Sequence, residues 1–518
     1  MKKTVLTLLI VWATLINTGP PALAQQVSMG EAYTVAENWI TVILRKSGGW
    51  GGSDSAQIDE IMEFKRKDNT VGYFCRIKPQ GFIVISTRRE LAPVKAYSAL
   101  SDLDPEAEEG LADLLKGRME GLLRRFQQAQ AKSQAGLPGG WTEVAEIDYR
   151  QVWDALEGDV PGFMDESARP FPSPKGMKPE DLASEGELDL DIGLLNYQEG
   201  GALLTSHWHQ FPPYNNFCPD MSCVNTTNNN AVVGCVATAG AQLMRYWNWP
   251  PYGEGAAIGG VTFTDSYDWI NMPDTATTGS PTAVQNAVAE LSYEIGLAVG
   301  MDYGCDGSSA YTYDMDGVFE NRYRYETTVT VRYRDDYTAD SWFDLMKGEF
   351  NFNRPVQYRI PGHSIVGDGW QEVGNPVVKQ YHMVYGWTNA GNDTWYTLDS
   401  LSADPAGEEY LLEAIRPEPS ITSLSGATYA RDAAFPYRYF YRDTGGTGAT
   451  FEGGQSIQFL PNIAVYNTST TGGTIDFEGS DSSFSYLFTR GDRGRGIKMH
   501  LDADAAVKLY QNGMIKFH

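Results

Sequence analysis

The segment Val233-Gly-Cys235-Val-Ala-Thr-Ala-Gly-Ala-Gln-Leu-Met-Arg-Tyr-Trp-Asn-Trp-Pro250 organises the reading of this chain. Val236, Ala239, Gly240, Leu243, Met244 and Trp247 fall on one helical stripe, and Pro250 marks its end. Cys235 therefore opens a helix, directly after Gly234. A helix start carries partial positive charge and free N–H groups. Both lower a thiol's pKa, favour the nucleophilic thiolate and suit an oxyanion. The small residues of the stripe permit close packing that holds the thiol rigidly. A cysteine taken alone is more often an inert core residue, so a partner is required.

That partner is an imidazole, which shares the thiol's proton and later protonates a leaving amine. Of the six histidines, His363 stands after Pro361-Gly362 and opens a strand-like run to Gly367. The bare Gly362 leaves room for another element to approach the ring. His382 lies in a second strand-like run, Tyr381 to Tyr385, and reads as structural. His207 and His209 flank Trp208 without a strand setting. Asp368 is five residues from His363, so on a strand it points to the opposite face and is a poor orienter for that ring.

Working outward, Lys2 and Lys3 precede an apolar run from Val5 to Ile16, then Ala22-Leu23-Ala24. This reads as a secretory signal peptide over 1–24, with an apolar core too short to span a bilayer. A secreted or periplasmic location follows. Residues 25–135 hold helical and strand patterns. These include the run Gly81 to Ser86 and an amphipathic helix through Leu111, Leu115, Met119, Leu122 and Phe126. Residues 136–194 are rich in Pro, Gly and acids and read as an exposed connection. Residues 195–418 contain the chemistry. From 419 to 518, seven short alternating runs separated by turns read as a sandwich-like all-β module. Asn512-Gly513 there predicts a tight hairpin between 507–510 and 514–517.

The chain has 518 residues, 42% hydrophobic, with a formal charge of −26, which excludes wholesale disorder. The acidity also argues against a general nucleic-acid binder and against docking on anionic lipid. Removing the leader deletes two lysines and no acids, taking −26 to −28. Five cysteines, an odd number, leave at least one thiol unpaired within the chain, and the near pair Cys218 and Cys223 suits a small disulfide loop. Asp314-Met-Asp316-Gly317 lacks the further ligands of a calcium loop. Arg490-Gly491-Asp492 reads as a polar turn.

The region around Cys235 resembles the nucleophile segment of the streptopain family, papain-like cysteine peptidases of bacteria. Gly-Cys-Val-Ala-Thr-Ala, then Ala241-Gln242, Met244, Tyr246, Asn248 and Pro250, fit its pattern. Gln210 with Pro213-Tyr214-Asn215, Tyr267-Asp-Trp269, Met301-Asp-Tyr-Gly304, and Arg354-Pro-Val356 before Gly362-His363 follow in the family's order. The resemblance implies an α+β, two-lobed papain-like domain, with an N-terminal α+β propeptide and the all-β module as additions. It implies Cys235 as nucleophile, His363 as general base and acid, and Gln210 as oxyanion-hole donor. It implies protein and peptide substrates, the chain's own propeptide as inhibitor, and no metal or organic cofactor.

One departure stands out. Where the family has Asn-Trp-Gly-Trp after the catalytic histidine, this chain has Val384-Tyr385-Gly386-Trp387. Trp387 and Asn389 are then the residues expected to shield or orient the imidazole. The rival reading is a non-catalytic relative that binds peptides or inhibits a partner. The β module is expected to bind a surface, a protein or carbohydrate, or else to serve as a stabilising appendage.

Overall fold

The computed structural model describes residues 26–135, 147–165 and 199–417, with short breaks at 248, 251, 352–353, 389–392 and 399–406; beyond 417 it describes strands alone. The leader at 1–24, the turn Asn512-Gly513 and Asn389 lie outside the described residues. Among the described residues no helix is long and apolar enough to cross a membrane.

The N-terminal unit is a four-stranded antiparallel meander between two helices. Helix α1 (Met29–Ser47) starts at a capping box, in which Ser28 and Glu31 satisfy each other's backbone N–H. Strands β1 (Gln57–Arg66), β2 (Asn69–Lys78), β3 (Phe82–Ser86) and β4 (Val94–Ser98) pair in sequence order. Alternation along the strands serves two cores. Tyr73, Cys75, Ile83 and Ile85 face α1, whereas Phe74, Phe82 and Val84 belong with Leu111, Leu115 and Met119 of α2 (Gly110–Gln134).

The connection read as exposed between 136 and 194 is corrected in part. Within it, α3 (Arg150–Gly158) and α4 (Val160–Phe163) are packed helices that bury Val152, Trp153, Leu156 and Phe163. Trp153 donates its ring N–H to the Leu91 carbonyl at 2.9 Å. Arg89 ties the unit together through Glu31 (2.8 Å), Asp154 (3.2 Å) and Glu157 (2.6 Å). A few apolar residues suffice for docking here, and the surrounding Gly, Pro and acids hide them from a composition reading.

The second unit pairs the helix opened by Cys235, α5 (Cys235–Trp247), with a sheet. Helices α6 (Thr282–Ala298), α7 (Met315–Arg322) and α8 (Ala339–Asn351) complete its helical layer. The strands are β5 (Thr330–Tyr333), β6 (Val356–Ile360), β7 (His363–Val373), β8 (Val378–Val384), β9 (Thr394–Thr397) and β10 (Tyr410–Glu413). Helix α5 is buried nearly all round, more than the single stripe predicts; only Cys235 and Arg245 are partly exposed. Its small residues allow this. A Cβ on Gly240 would lie 2.6 Å from the Met315 methyl.

The two units share one antiparallel sheet of ten described strands, in the order β1-β2-β3-β4-β9-β8-β7-β6-β10-β5. The join is β4 to β9, with Ala96 opposite Tyr396 and Tyr97 opposite Trp395. Polar groups reinforce it: Gln371 donates to the Tyr97 hydroxyl at 2.8 Å, and Thr397 donates to the Val94 carbonyl at 2.6 Å.

Beyond 417 the described elements are all strands, β11 (Thr428–Tyr429), β12 (Ala449–Phe451), β13 (Ser456–Phe459), β14 (Thr474–Glu478), β15 (Phe484–Ser485), β16 (Ile497–Leu501), β17 (Ala506–Leu509) and β18 (Met514–Lys516). They form sheets β11-β12-β17-β14-β18 and β13-β16-β15. The expected hairpin is corrected: β17 and β18 both pair with β14, which lies between them. The register of β14 separates two runs that sequence proximity alone would join.

Candidate active site

Gly234 sets the entry to α5. Its φ of +91° is a left-handed conformation suited to glycine, and an added Cβ would meet the Met301 sulfur at 2.7 Å. The first helical bond runs from Thr238 N–H to the Gly234 carbonyl at 3.0 Å. Cys235 thus sits at the positive end of a buried helix, partly exposed, with its thiol free. Burial pushes this thiol's pKa up. The facing His363 imidazole, the Ser364 backbone N–H and the Arg359 guanidinium outweigh burial, and the net shift is downward.

His363 opens β7, and its ring is buried. Nε2 lies 2.8 Å from the backbone carbonyl oxygen of Tyr385. A carbonyl only accepts, so Nε2 carries the proton and Nδ1 is the nitrogen left to face the thiol. The Tyr385 ring lies against the imidazole at 4.3 Å, and Trp387 meets it edge-on at 5.9 Å. The sequence does not announce this contact, because it is made through the Tyr385 main chain, which leaves no side-chain signature.

Gln210 is buried, and its side-chain Nε2 has no hydrogen-bond partner among the described residues. Its carbonyl accepts from Val233 N–H at 3.0 Å, which anchors Gln210 two residues ahead of Cys235. An orphaned buried donor here has the chemistry of an oxyanion-hole amide.

Asp368 is occupied elsewhere. It is the extra residue of a bulge between Gly367 and Gly369. Its oxygens take His382 Nδ1 at 2.6 Å and Leu204 N–H at 2.9 Å. His209 is buried against Tyr214, and burial holds its pKa down to about 4.

The cysteines differ from the expected pairing. Cys223 bonds Cys305, 82 residues away, and Cys218 is a free buried thiol. This disulfide braces the loop before the nucleophile, where Ser308 donates to the Val232 carbonyl at 2.6 Å. Burial pushes the Cys75 and Cys218 thiols up to about 12, which leaves Cys235 as the free thiol suited to attack.

Helix α2 reaches this site. Arg118 Nη2 donates to the Pro361 carbonyl at 2.7 Å, and a Cβ on Gly110 would lie 3.3 Å from Trp387 Cδ1. Elsewhere, Asp265, Glu290 and Glu294 bring carboxylate oxygens within 4.8 Å of one another. Burial, reinforced by neighbouring carboxylates, raises Glu290 to about 7 and Glu294 to about 8.

Residues 208–396 match the family model described as Peptidase C10 family, and residues 24–120 match that of the Spi protease inhibitor. Streptopain of Streptococcus pyogenes is 23% identical over 415 residues, which is 75% of this chain and 89% of streptopain. Thiol protease/hemagglutinin PrtT of Porphyromonas gingivalis is 25% identical over 280 residues, 50% of this chain and 30% of PrtT. The solved structure of a Prevotella intermedia prointerpain A fragment covers 70% of this chain and 99% of its own, at 21% identity and a TM-score of 0.48.

Proposed function

Since this chain belongs to the streptopain family of cysteine peptidases and carries a Spi-inhibitor-like N-terminal unit, we propose that it is an exported endopeptidase zymogen. Cys235 is the nucleophile and His363 the general base and acid. The observation that supports this best is the pairing of a thiol at a helix N-terminus with an imidazole whose far nitrogen is anchored at 2.8 Å.

The steps follow from these positions. The Cys235 thiolate attacks the scissile carbonyl carbon while His363 holds the thiol's former proton on Nδ1. The developing oxyanion is met by Gln210 Nε2–H and the Cys235 backbone N–H. Collapse breaks the C–N bond, His363 protonates the leaving amine, and a thioester remains on Cys235. Water then attacks the thioester, giving its proton to His363, and the thiolate leaves. The Tyr385 carbonyl keeps the imidazole in the orientation and tautomer this cycle needs.

In the zymogen, α2 covers the His363 side of the site through Arg118 and Gly110. Cleavage in 136–202 would release it, and the leader at 1–24 would direct export. The rival reading, a non-catalytic peptide binder, is motivated by Val384 and Tyr385. The Tyr385 carbonyl supports the peptidase reading instead, because it supplies the acceptor that the substitution removed.

The test is labelling with an epoxide thiol inhibitor and casein cleavage under reducing conditions. The processed chain should be labelled at Cys235 and cut casein, and Cys235→Ala should do neither. Casein cleavage retained in Cys235→Ala would refute the assignment.

A further inference from the structure

We propose that Tyr311, Tyr313 and Tyr333 form an aromatic shelf that binds the substrate chain about four residues from the cut, by stacking on an aromatic or proline side chain. The inference rests on the peptidase reading and extends it to specificity.

Large apolar side chains singly exposed mean little, but a contiguous aromatic patch marks a binding surface. Tyr311, Tyr313 and Tyr333 are 66%, 40% and 39% exposed, with the N-terminal unit in place. Tyr311 and Tyr313 stack at 5.1 Å with planes 17° apart. Tyr410 joins them from below, 6.4 Å from Tyr313 and 5.3 Å from Tyr333, and is itself buried.

The patch connects to the candidate site along two routes, the sheet and one loop. On the sheet, Ser364 lies opposite Arg359, Arg359 opposite Tyr410, and Tyr410 opposite Tyr333. Directly opposed residues of antiparallel strands share a face. Gln357, two residues from Arg359, donates to the Val236 carbonyl at 3.1 Å, so this face is the one that α5 packs on. Along the other route, the loop that presents Tyr311 and Tyr313 begins beside the nucleophile. Ser308 Cβ would lie 3.1 Å from a Cβ on Gly234. The Tyr410 hydroxyl meets the Tyr313 backbone N–H, which joins the two routes.

The distance fixes the register. From β7 across β6 and β10 to β5 is three strand spacings, about 14 Å at ~4.8 Å each, or roughly four residues of extended peptide at ~3.3 Å per residue. Tyrosine supplies a rigid face at low entropy and suits planar or ring side chains. After β10 the described chain runs to Pro417, which bridges Tyr325, whereas Tyr410 is at the opposite end of the strand.

The test measures kcat/KM of the activated enzyme on a peptide series that carries Phe or Pro three to five residues from the cut, on either side, and on matched short peptides lacking that extension. The long peptides should gain about five- to ten-fold through KM, on one side of the cut only. Tyr311→Ala with Tyr313→Ala should remove that gain, and Tyr311→Phe with Tyr313→Phe should keep it. An unchanged length dependence in the double Ala variant overturns the shelf. So does a lowered Tm without any effect on length dependence, which would assign the patch to packing by the chain's C-terminal strands. Turnover of the short peptides tests the peptidase reading separately: its persistence alongside a missing length gain sinks only the shelf.

Discussion

Arg118 on α2 donates to the Pro361 carbonyl at 2.7 Å, two residues ahead of His363. A half-buried guanidinium thus ties the N-terminal unit to the turn that positions the candidate base. Hydrogen bonds to charged groups contribute about 1.5–3 kcal/mol, so Arg118→Ala should weaken this hold by roughly 10- to 100-fold. The expected result is a shorter lag before casein cleavage and more residual activity in uncut chain. A lag equal to that of the parent would remove Arg118 from the inhibitory contact.

The His363–Tyr385 contact predicts an unusual mutational pattern. Tyr385→Phe should leave kcat within about three-fold, because the acceptor is main chain. Tyr385→Ala should lower kcat about 10-fold or more, since the ring that holds the imidazole in place is lost. Restoring the family residue with Val384→Asn should not raise activity. It should instead lower stability by about 1–3 kcal/mol through a buried amide lacking partners. Steady-state kinetics with urea unfolding separates these outcomes.

Gln210→Ala should lower kcat by about 10²–10³ with little change in KM. Its side-chain Nε2 has no partner among the described residues, so Tm should hardly move. A matched loss of Tm and activity would make Gln210 a packing residue.

Two groups give acid sensitivity in separate windows. His209 is held down to about 4 by burial, so it stays neutral while the unfolded chain binds a proton. Its share of stability is full above about pH 6.5 and is lost as pH falls toward 4. Glu31 is lowered to about 2, chiefly by the Ser28 hydroxyl and then by Arg89. Its share is full above about pH 4.5 and is lost as pH falls toward 2. Tm against pH should show the upper window flattened in His209→Gln and the lower one in Glu31→Gln.

The site was legible where side chains carry the chemistry in one short segment. Gly234-Cys235 before a helical stripe, and Gly362-His363 before a strand, announce themselves through glycine placement and periodicity. In the sequence Tyr385 stands out only as a departure from the family pattern, because a carbonyl belongs to every residue alike. The Cys223–Cys305 bond joins residues 82 apart, and spacing favoured the nearer Cys218. Trp153 and its helix were hidden by acidic, Pro-rich flanks. The β17–β18 hairpin failed because turn propensity sets a reversal and not which strand lies alongside.

The shared sheet gives processing a geometric meaning. Cutting the chain after the N-terminal unit would also divide a sheet in its interior, between β4 and β9. Departure of that unit uncovers the unpaired main-chain groups of β9, a strand of four residues, Thr394–Thr397. Such edges recruit other strands. The departing β4 carries the matching edge, so each fragment is able to cover the other. The mature enzyme would inherit a short sticky seam on the side of the sheet remote from β5. Its solubility, and its recapture by freed N-terminal fragment, would then depend on fragment concentration and no longer on covalent linkage.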